Sequence, residues 1–219
     1  MQMPAEMQVF KSREEWLKNR SHGLGGSEIS AVLGRNPYMT NLDLWELKTG
    51  RREDEDISDK PYVKYGNQAE RHLRGLFRLD YPQFKVNYRE NNSWTNPRYP
   101  WAQASLDGWL TDQEGRRGVL EIKTAEILKS MQKERWNKKI PDNYYCQVLF
   151  YMAVVEADFA YVKAQLKSEF DDEPYLQTKH ITILRAEVQD DIDYLMAKGA
   201  EFWGYVQRDE RPPLVLPQI

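Results

Sequence analysis

The feature that most constrains the fold is a short run of alternating residues, 118–124. Successive side chains of an extended strand point to opposite faces, so Leu120 and Ile122 share one side while Glu121 and Lys123 share the other. The pattern predicts a β-strand that packs one face in a core and offers the other face for chemistry.

A second segment, residues 104–108, precedes this strand and is joined to it by a polar, glycine-containing stretch that is typical of a hairpin connection. The hairpin would return the chain and bring Asp107 beside Glu121 and Lys123, at the exposed edge of a sheet. Two carboxylates and an ammonium group form a hard-oxygen site that suits Mg²⁺ or Mn²⁺. Such a site is suited to phosphodiester chemistry.

Composition limits the alternatives for the metal and for the compartment. One cysteine and three widely separated histidines exclude an intrachain disulfide and a zinc or iron–sulfur ligand set, so any metal must bind to carboxylates. No apolar run is long enough to cross a membrane, and residues 1–10 lack the features of a signal peptide. We therefore expect a cytoplasmic protein without a membrane partner.

The charge distribution is uneven. A net charge of −3 argues mildly against a protein that coats nucleic acid, because non-specific affinity comes from neutralising phosphates. Lysine and arginine nevertheless concentrate in residues 123–139, which begin at the proposed site.

Hydrophobic periodicity predicts one α/β domain over residues 1–219 with a mixed central sheet. Within it we distinguish N-terminal helices and a loop (13–50), a core (61–185) and a C-terminal helix and tail (187–219). The predicted helices cover 13–19, 28–33, 41–49, 63–79, 125–138, 143–155 and 187–207. The predicted strands cover 84–88, 101–110, 119–124, 159–166 and 175–184.

Several polar residues allow two interpretations from pattern alone. The glycine loop before Ser27 is either an anion site at a helix N-terminus or a flexible loop before a helix that Ser27 caps. Glu70 is either a site carboxylate or a surface residue, and Gln147 is either functional or simply hydrogen-bonded on an apolar helix. Trp16 is either a core anchor or a platform for an unpaired base.

The pattern of Asp107 followed by Glu121-Ile122-Lys123 resembles the PD-(D/E)xK nuclease superfamily. Neighbouring blocks narrow the resemblance to the YqaJ-type viral recombinase family, also called the lambda exonuclease family. The blocks occur in the order of that family at Arg20 with 25–28, and at 65–70, 104–108, 120–124 and 140–148. One departure is Leu106, which stands where the family usually has proline.

The resemblance implies a restriction-endonuclease-like core, with a mixed β-sheet flanked by helices, and a role for each matching residue. It implies metal binding by Asp107, Glu121, Glu70 and the Ile122 carbonyl, with Lys123 orienting or activating the attacking water and Gln147 in the active site. It also implies a 5′-phosphate and DNA site formed by Arg20, Ser27 and Ser105, to which we add Trp16 as a candidate.

The implied activity is a Mg²⁺-dependent 5′-to-3′ exonuclease, with Mn²⁺ as a substitute and one or two ions bound. It would digest one strand of linear duplex DNA and leave 3′ overhangs for recombination by strand annealing. A ring-shaped homotrimer, a single-strand annealing partner protein and a phage or prophage origin in a bacterial host are implied as well. A restriction-type or structure-specific endonuclease and a non-catalytic DNA-binding subunit are the alternatives.

Overall fold

The computed structural model describes residues 5–127, 134–137, 139–170 and 173–217. Its helices include α1 (Arg13–Arg20), α2 (Ile29–Val32), α3 (Asn41–Lys48), α4 (Pro61–Asp80), α5 (Asp142–Val155) and α6 (Arg185–Arg208). Its strands include β1 (Glu6–Val9), β2 (Leu24–Gly25), β3 (Lys85–Asn87), β4 (Asn92–Asn96), β5 (Tyr99–Ala104), β6 (Gly108–Thr111), β7 (Arg117–Glu126), β8 (Phe159–Phe170) and β9 (Glu173–Leu184). The predicted mixed α/β class is confirmed.

The larger sheet has five strands in the order β3-β6-β7-β8-β9. The β6–β7 hairpin is antiparallel, with Gly108 opposite Leu120, while β7 and β8 are parallel and are connected through α5. The predicted alternation on β7 is confirmed, because Leu120 and Ile122 pack in a cluster with α4 residues whereas Val119 belongs to the main core on the other side.

The expectation that this strand lies at an exposed edge is wrong. β7 is the middle strand of the five, and Glu121 is only 1% exposed. The reason is that helices cover both faces of the strand, so its polar face is turned towards α5 instead of towards open solvent.

A second sheet, in the order β1-β4-β5-β2, positions the N-terminal segment. The sequence pattern did not indicate β1, β2 or β4. β4 carries Asn92, Ser93 and Asn96, which are polar yet buried, so it lacks the apolar alternation that marks a half-buried strand. The Asn92 side chain instead bonds both backbone groups of Leu106 at 2.9 Å.

Two helix predictions need correction. Residues 125 and 126 continue β7, where they pair with β8, so the helix predicted over 125–138 does not begin at 125. Residues 128–133 and 138 lie outside the described residues. Ser27 does not cap α2: Glu28 occupies the N-cap position, and the Ser27 hydroxyl binds the Arg20 guanidinium instead.

No helix in the described ranges is both long and apolar enough to span a lipid bilayer. Cys146 is a free, buried cysteine on α5, and burial raises the pKa of its thiol to about 11. The thiol is therefore protonated at neutral pH and behaves as a small apolar group.

A buried polar cluster lies between α4 and strands β8 and β9. Lys163, 2% exposed, forms an ion pair with Asp80 at 2.7 Å. Next to it the Tyr81 hydroxyl lies 2.5 Å from Nδ1 of His180, and the Tyr161 ring contacts both. Burial, followed by the charge of Lys163, lowers the pKa of His180 below its ordinary value.

This lowered pKa predicts a loss of stability in acid. The folded state disfavours protonated His180, so its contribution is complete above pH 6.5 and is lost as the pH falls below that value. Between about pH 7.5 and pH 5.5 the free energy of unfolding should fall more in the wild type than in His180→Gln. Urea unfolding of both proteins at each pH measures the difference; parallel pH dependences would contradict it.

Candidate active site

The polar face of β7 forms the floor of the candidate site. The Lys123 ammonium lies 2.6 Å from Oε1 of Glu121, and both side chains point towards α5. The second carboxylate oxygen of Glu121, Oε2, is buried and has no hydrogen-bond partner in the described part of the chain. A buried polar atom without a hydrogen-bond partner destabilises the folded state, so this oxygen is a candidate metal ligand.

Asp107 reaches the same place from the start of the β6–β7 hairpin. Its Oδ2 accepts a hydrogen bond of 2.8 Å from the backbone N–H of Ile122, between Glu121 and Lys123. The predicted meeting of Asp107 with this strand is therefore present. Leu106 suits the geometry, because its N–H donates to Asn92 and a proline would lack that donor.

The pKa values of these groups report their crowding. Burial, followed by repulsion from Glu121 and Glu70, raises the pKa of Asp107 well above its usual range. Burial likewise raises the pKa of Glu121, although Lys123 opposes the shift. Burial alone would lower the pKa of Lys123, but the two nearby carboxylates outweigh it and raise this pKa. Lys123 is therefore protonated and charged, whereas the ionised forms of Asp107 and Glu121 are disfavoured.

Glu70 joins the site through an arginine that the sequence analysis did not single out. Arg74, one helical turn further along α4, donates 2.7 Å to Oε1 of Glu70 and 2.6 Å to the carbonyl oxygen of Asp107. Its guanidinium stacks 3.4 Å from the ring centroid of Tyr88 and is buried. The i,i+4 spacing of Glu70 and Arg74 was the available signal.

Gln147 connects α5 to the floor. Its Oε1 accepts a hydrogen bond from the Lys123 ammonium at 2.9 Å, and its Nε2 donates to the Tyr151 hydroxyl at 3.0 Å. The ring of Tyr144 lies 4.7 Å from the same ammonium. Gln147 is thus buried and hydrogen-bonded, as both interpretations of it require, and one of its partners is Lys123.

The four residues predicted to hold a 5′ phosphate and DNA meet on the opposite wall. Arg20 donates 3.0 Å to the Ser27 hydroxyl, and its guanidinium lies 4.9 Å from the ring centroid of Trp16. The Trp16 indole N–H donates to the Ser105 hydroxyl and the Asn92 carbonyl, both at 3.1 Å. These bonds fix the half-buried Trp16 as part of the wall, and a second guanidinium, that of Arg13, lies 5.7 Å from the centroid of its ring.

One cavity of about 730 Å³ contains both walls. Its lining includes the predicted end-binding residues Arg20, Ser27, Trp16 and Ser105 and the predicted active-site residues Glu70, Asp107 and Gln147. Glu121, Ile122 and Lys123 are not part of its lining and lie directly behind Asp107 and Gln147. Arg13, Arg71 and Arg74 also line the cavity and add positive charge to it, although the sequence pattern did not single them out.

The oxygen donors of the site form only part of a ligand set for a hard divalent cation in the observed side-chain conformations. No three His, Cys, Asp or Glu side chains within the described ranges are arranged to hold an ion, and Glu70 forms an ion pair with Arg74. The partnerless Oε2 of Glu121 and the crowded carboxylate of Asp107 are oxygen donors of the kind Mg²⁺ prefers. A cation there would relieve the repulsion between them.

Comparison with known proteins supplies the family. The YqaJ-like viral recombinase domain model matches residues 15–158. The uncharacterized protein YqaJ of Bacillus subtilis (strain 168) is 32% identical over 149 residues, which are 68% of this chain and 44% of that protein. The chain thus spans less than half the length of that relative.

Solved structures show the same fold at lower identity. The alkaline exonuclease LHK-Exo of Laribacter hongkongensis aligns over 89% of this chain and 95% of its own, with a TM-score of 0.63 and 18% identity. Its complex with dAMP aligns over the same shares, with a TM-score of 0.60 and 19% identity. A phage-related exonuclease of Haemophilus somnus 129PT aligns over 88% and 99%, with a TM-score of 0.56 and 13% identity. The chain belongs to the YqaJ-like viral recombinase family.

Proposed function

We propose that this protein is a divalent-metal-dependent exonuclease that removes nucleotides from the 5′ end of one strand of linear duplex DNA. The product would be a 3′ single-stranded overhang for recombination by strand annealing. The family, and the likeness of the fold to solved exonucleases, support a nuclease of this kind.

The observation that carries the proposal is the shared cavity. A terminal phosphate bound by Arg20, Ser27 and Ser105 would lie in the same space as the carboxylates that face the scissile phosphodiester. An enzyme that cuts within a strand has no use for a site that grips a chain end. The dAMP complex of the alkaline exonuclease supports the same interpretation, since dAMP is a nucleotide that carries one phosphate.

Each residue has a proposed task. Asp107, Glu121 and the Ile122 carbonyl would hold Mg²⁺, or Mn²⁺ in its place, with Glu70 completing a second position if a second ion binds. The cation would supply Lewis-acid stabilisation of charge on the phosphate. Lys123, fixed by Glu121 and Gln147, would orient the attacking water and offset negative charge that develops at phosphorus.

The proposal is tested by digesting linear duplex DNA that carries a different label on each 5′ and 3′ end, with and without Mg²⁺. We expect release of the 5′ label as mononucleotide, retention of the 3′ label and no reaction in EDTA. Hydrolysis of covalently closed circular DNA at a comparable rate would instead indicate an endonuclease. Binding of ends without hydrolysis under any metal would indicate a non-catalytic subunit.

We propose in addition that the protein acts as a ring-shaped homotrimer around DNA, with an annealing protein as partner, in the cytoplasm of a phage-infected or prophage-bearing bacterium. The net charge of −3 supports enclosure, because a free acidic protein would not stay on DNA. The basic residues 129–139 would line the DNA path; most of them lie outside the described residues. Light scattering measures the assembly, and a monomer would refute the ring.

Arg20→Ala tests the end-binding wall separately from the chemistry. Loss of a guanidinium that contacts phosphate should raise KM for a 5′-phosphorylated duplex about 10- to 100-fold, because charge-assisted hydrogen bonds are lost. KM for a 5′-hydroxyl duplex should change little. Arg116→Ala removes the same charge from the β6–β7 turn and is the control. An unchanged preference for the phosphate would assign Arg20 to packing against Trp16.

A further inference from the structure

Tyr151 lines the cavity between Gly26 and Gln147, both of which it contacts, and the proposed catalysis gives it no task. It is on α5, one helical turn after Gln147, and is 6% exposed. Its hydroxyl bonds Gln147, while its ring lies against the glycine loop that precedes Ser27. The residue thus touches both the end-binding loop and the polar chain that leads to Lys123.

The contact with the loop leaves no space. A Cβ added to Gly26 would lie 2.2 Å from a ring carbon of Tyr151, which is far closer than real atoms approach. Gly26 is therefore required here for close approach, and its backbone rests directly on the phenol ring. A displacement of the loop must move the ring, and a displacement of the ring must move the loop.

The contact with Gln147 has only one consistent orientation. The Lys123 ammonium is a donor without acceptor capacity, so Gln147 must turn its oxygen towards Lys123 and its NH₂ group towards Tyr151. The Tyr151 oxygen accepts from that NH₂ group, which leaves the hydroxyl proton free to point elsewhere. Loss of this acceptor would remove one of the two hydrogen bonds that hold the amide in this orientation, and the bond from Lys123 would remain.

We propose that Tyr151 is a positioning residue that couples the 5′-end loop to Lys123, through the path Gly26, Tyr151, Gln147 and Lys123. This inference rests on the proposed exonuclease function. A terminal phosphate that fixes the position of the loop thereby fixes, in turn, the Tyr151 ring, the Gln147 amide and the Lys123 ammonium. The coupling makes hydrolysis fastest when an end is seated, so it acts on kcat as well as on end affinity.

The test uses steady-state kinetics on 5′-phosphorylated and 5′-hydroxyl linear duplexes. Tyr151→Phe keeps the ring and removes the acceptor; we expect kcat on the phosphorylated duplex to fall about tenfold with KM within about twofold. The kcat advantage of the phosphorylated end should shrink accordingly. Tyr145→Phe removes a hydroxyl from the same helix, where it bonds Asp191, and should leave both constants unchanged.

Gly26→Ala tests the other half of the path, because the added methyl group must displace the ring. It should also lower kcat, and the double variant Gly26→Ala/Tyr151→Phe should be no slower than Gly26→Ala alone, since both changes break one path. Thermal unfolding of each variant identifies any that fails to fold, in which case Tyr151→Phe decides alone.

The outcomes separate the two proposals. If the wild type is active, three results would overturn the coupling and leave the proposed exonuclease function intact. They are an unchanged kcat in Tyr151→Phe, an equal loss of kcat on both duplexes, and losses of kcat that multiply in the double variant. A wild type that hydrolyses no linear duplex from its end would overturn the exonuclease and the coupling together.

Discussion

Glu121→Gln is expected to lower the rate of duplex hydrolysis by about 1,000-fold or more while the protein stays folded. The substitution keeps the shape of the side chain and removes its charge. The buried oxygen that has no partner, Oε2, would lose its ability to bind a cation, and Lys123 would lose its counter-charge. The Asp107 carboxylate stays near the Lys123 ammonium as a second counter-charge and the Gln147 oxygen still accepts from it, so the neutral amide costs the fold little.

Gln is a sharper test than alanine at this position because the pair is buried. Lys123→Ala should abolish hydrolysis as well, but it leaves the Glu121 carboxylate without its cation, and such removal of one partner costs about 3–5 kcal/mol. Its loss of activity would therefore be mixed with a loss of stability. Glu121→Gln separates the two effects.

Lys163→Met is the matched control. Lys163 is buried on the neighbouring strand β8, away from the cavity, and forms an ion pair with the half-exposed Asp80 at the end of α4. Its replacement should lower the free energy of unfolding and leave kcat unchanged, which is the reverse of the result for Glu121→Gln. Measurements of kcat and of urea unfolding for both variants test this contrast. A kcat near the wild-type value in Glu121→Gln would refute the assignment of Glu121 to the active site.

The sequence predicted the centre of the site because its geometry is local. Strand alternation placed Glu121 and Lys123 on one face, and the predicted hairpin returned Asp107 to the same strand, as the structure shows. Both inferences need only the period of a strand and the length of a turn. The grouping of Arg20, Ser27 and Ser105 came from the family resemblance, since these residues are distant in sequence, and Trp16 was added as a nearby aromatic candidate.

The residues that the sequence could not supply depend on the packing between elements. Tyr151 is one residue among many on an apolar helix until α5 is laid against the Gly26 loop, and only then does its ring, whose hydroxyl bonds Gln147 of the same helix, acquire a neighbour on the other side. The burial of Glu121 was missed for the same reason, because a strand pattern does not show whether a helix covers its polar face. β4 was missed because buried asparagines bond backbone groups that no local pattern reveals.

The repulsion between the buried carboxylates leads to the second large expected effect, in which one substitution removes activity and raises stability. Asp107→Asn is expected to abolish hydrolysis and yet to make the metal-free protein more stable than the metal-free wild type. In the wild type, burial and the charges of Glu121 and Glu70 raise the pKa of Asp107, so keeping it ionised at pH 8 opposes folding. The amide removes this charge, and its oxygen can still accept from the Ile122 N–H.

The size of the gain should be about 1 kcal/mol, or roughly 2–4 °C in the unfolding temperature of a chain of this length. Mg²⁺ should raise the unfolding temperature of the wild type, because an ion that binds only the folded state stabilises it. It should have little effect on Asp107→Asn. Thermal unfolding in EDTA and in excess Mg²⁺ measures both quantities. If metal-free Asp107→Asn is less stable than the metal-free wild type, the main structural role of Asp107 is its hydrogen bond to the Ile122 N–H. If it is more stable, the Asp107 charge destabilises the metal-free fold, and the bound cation offsets that repulsion.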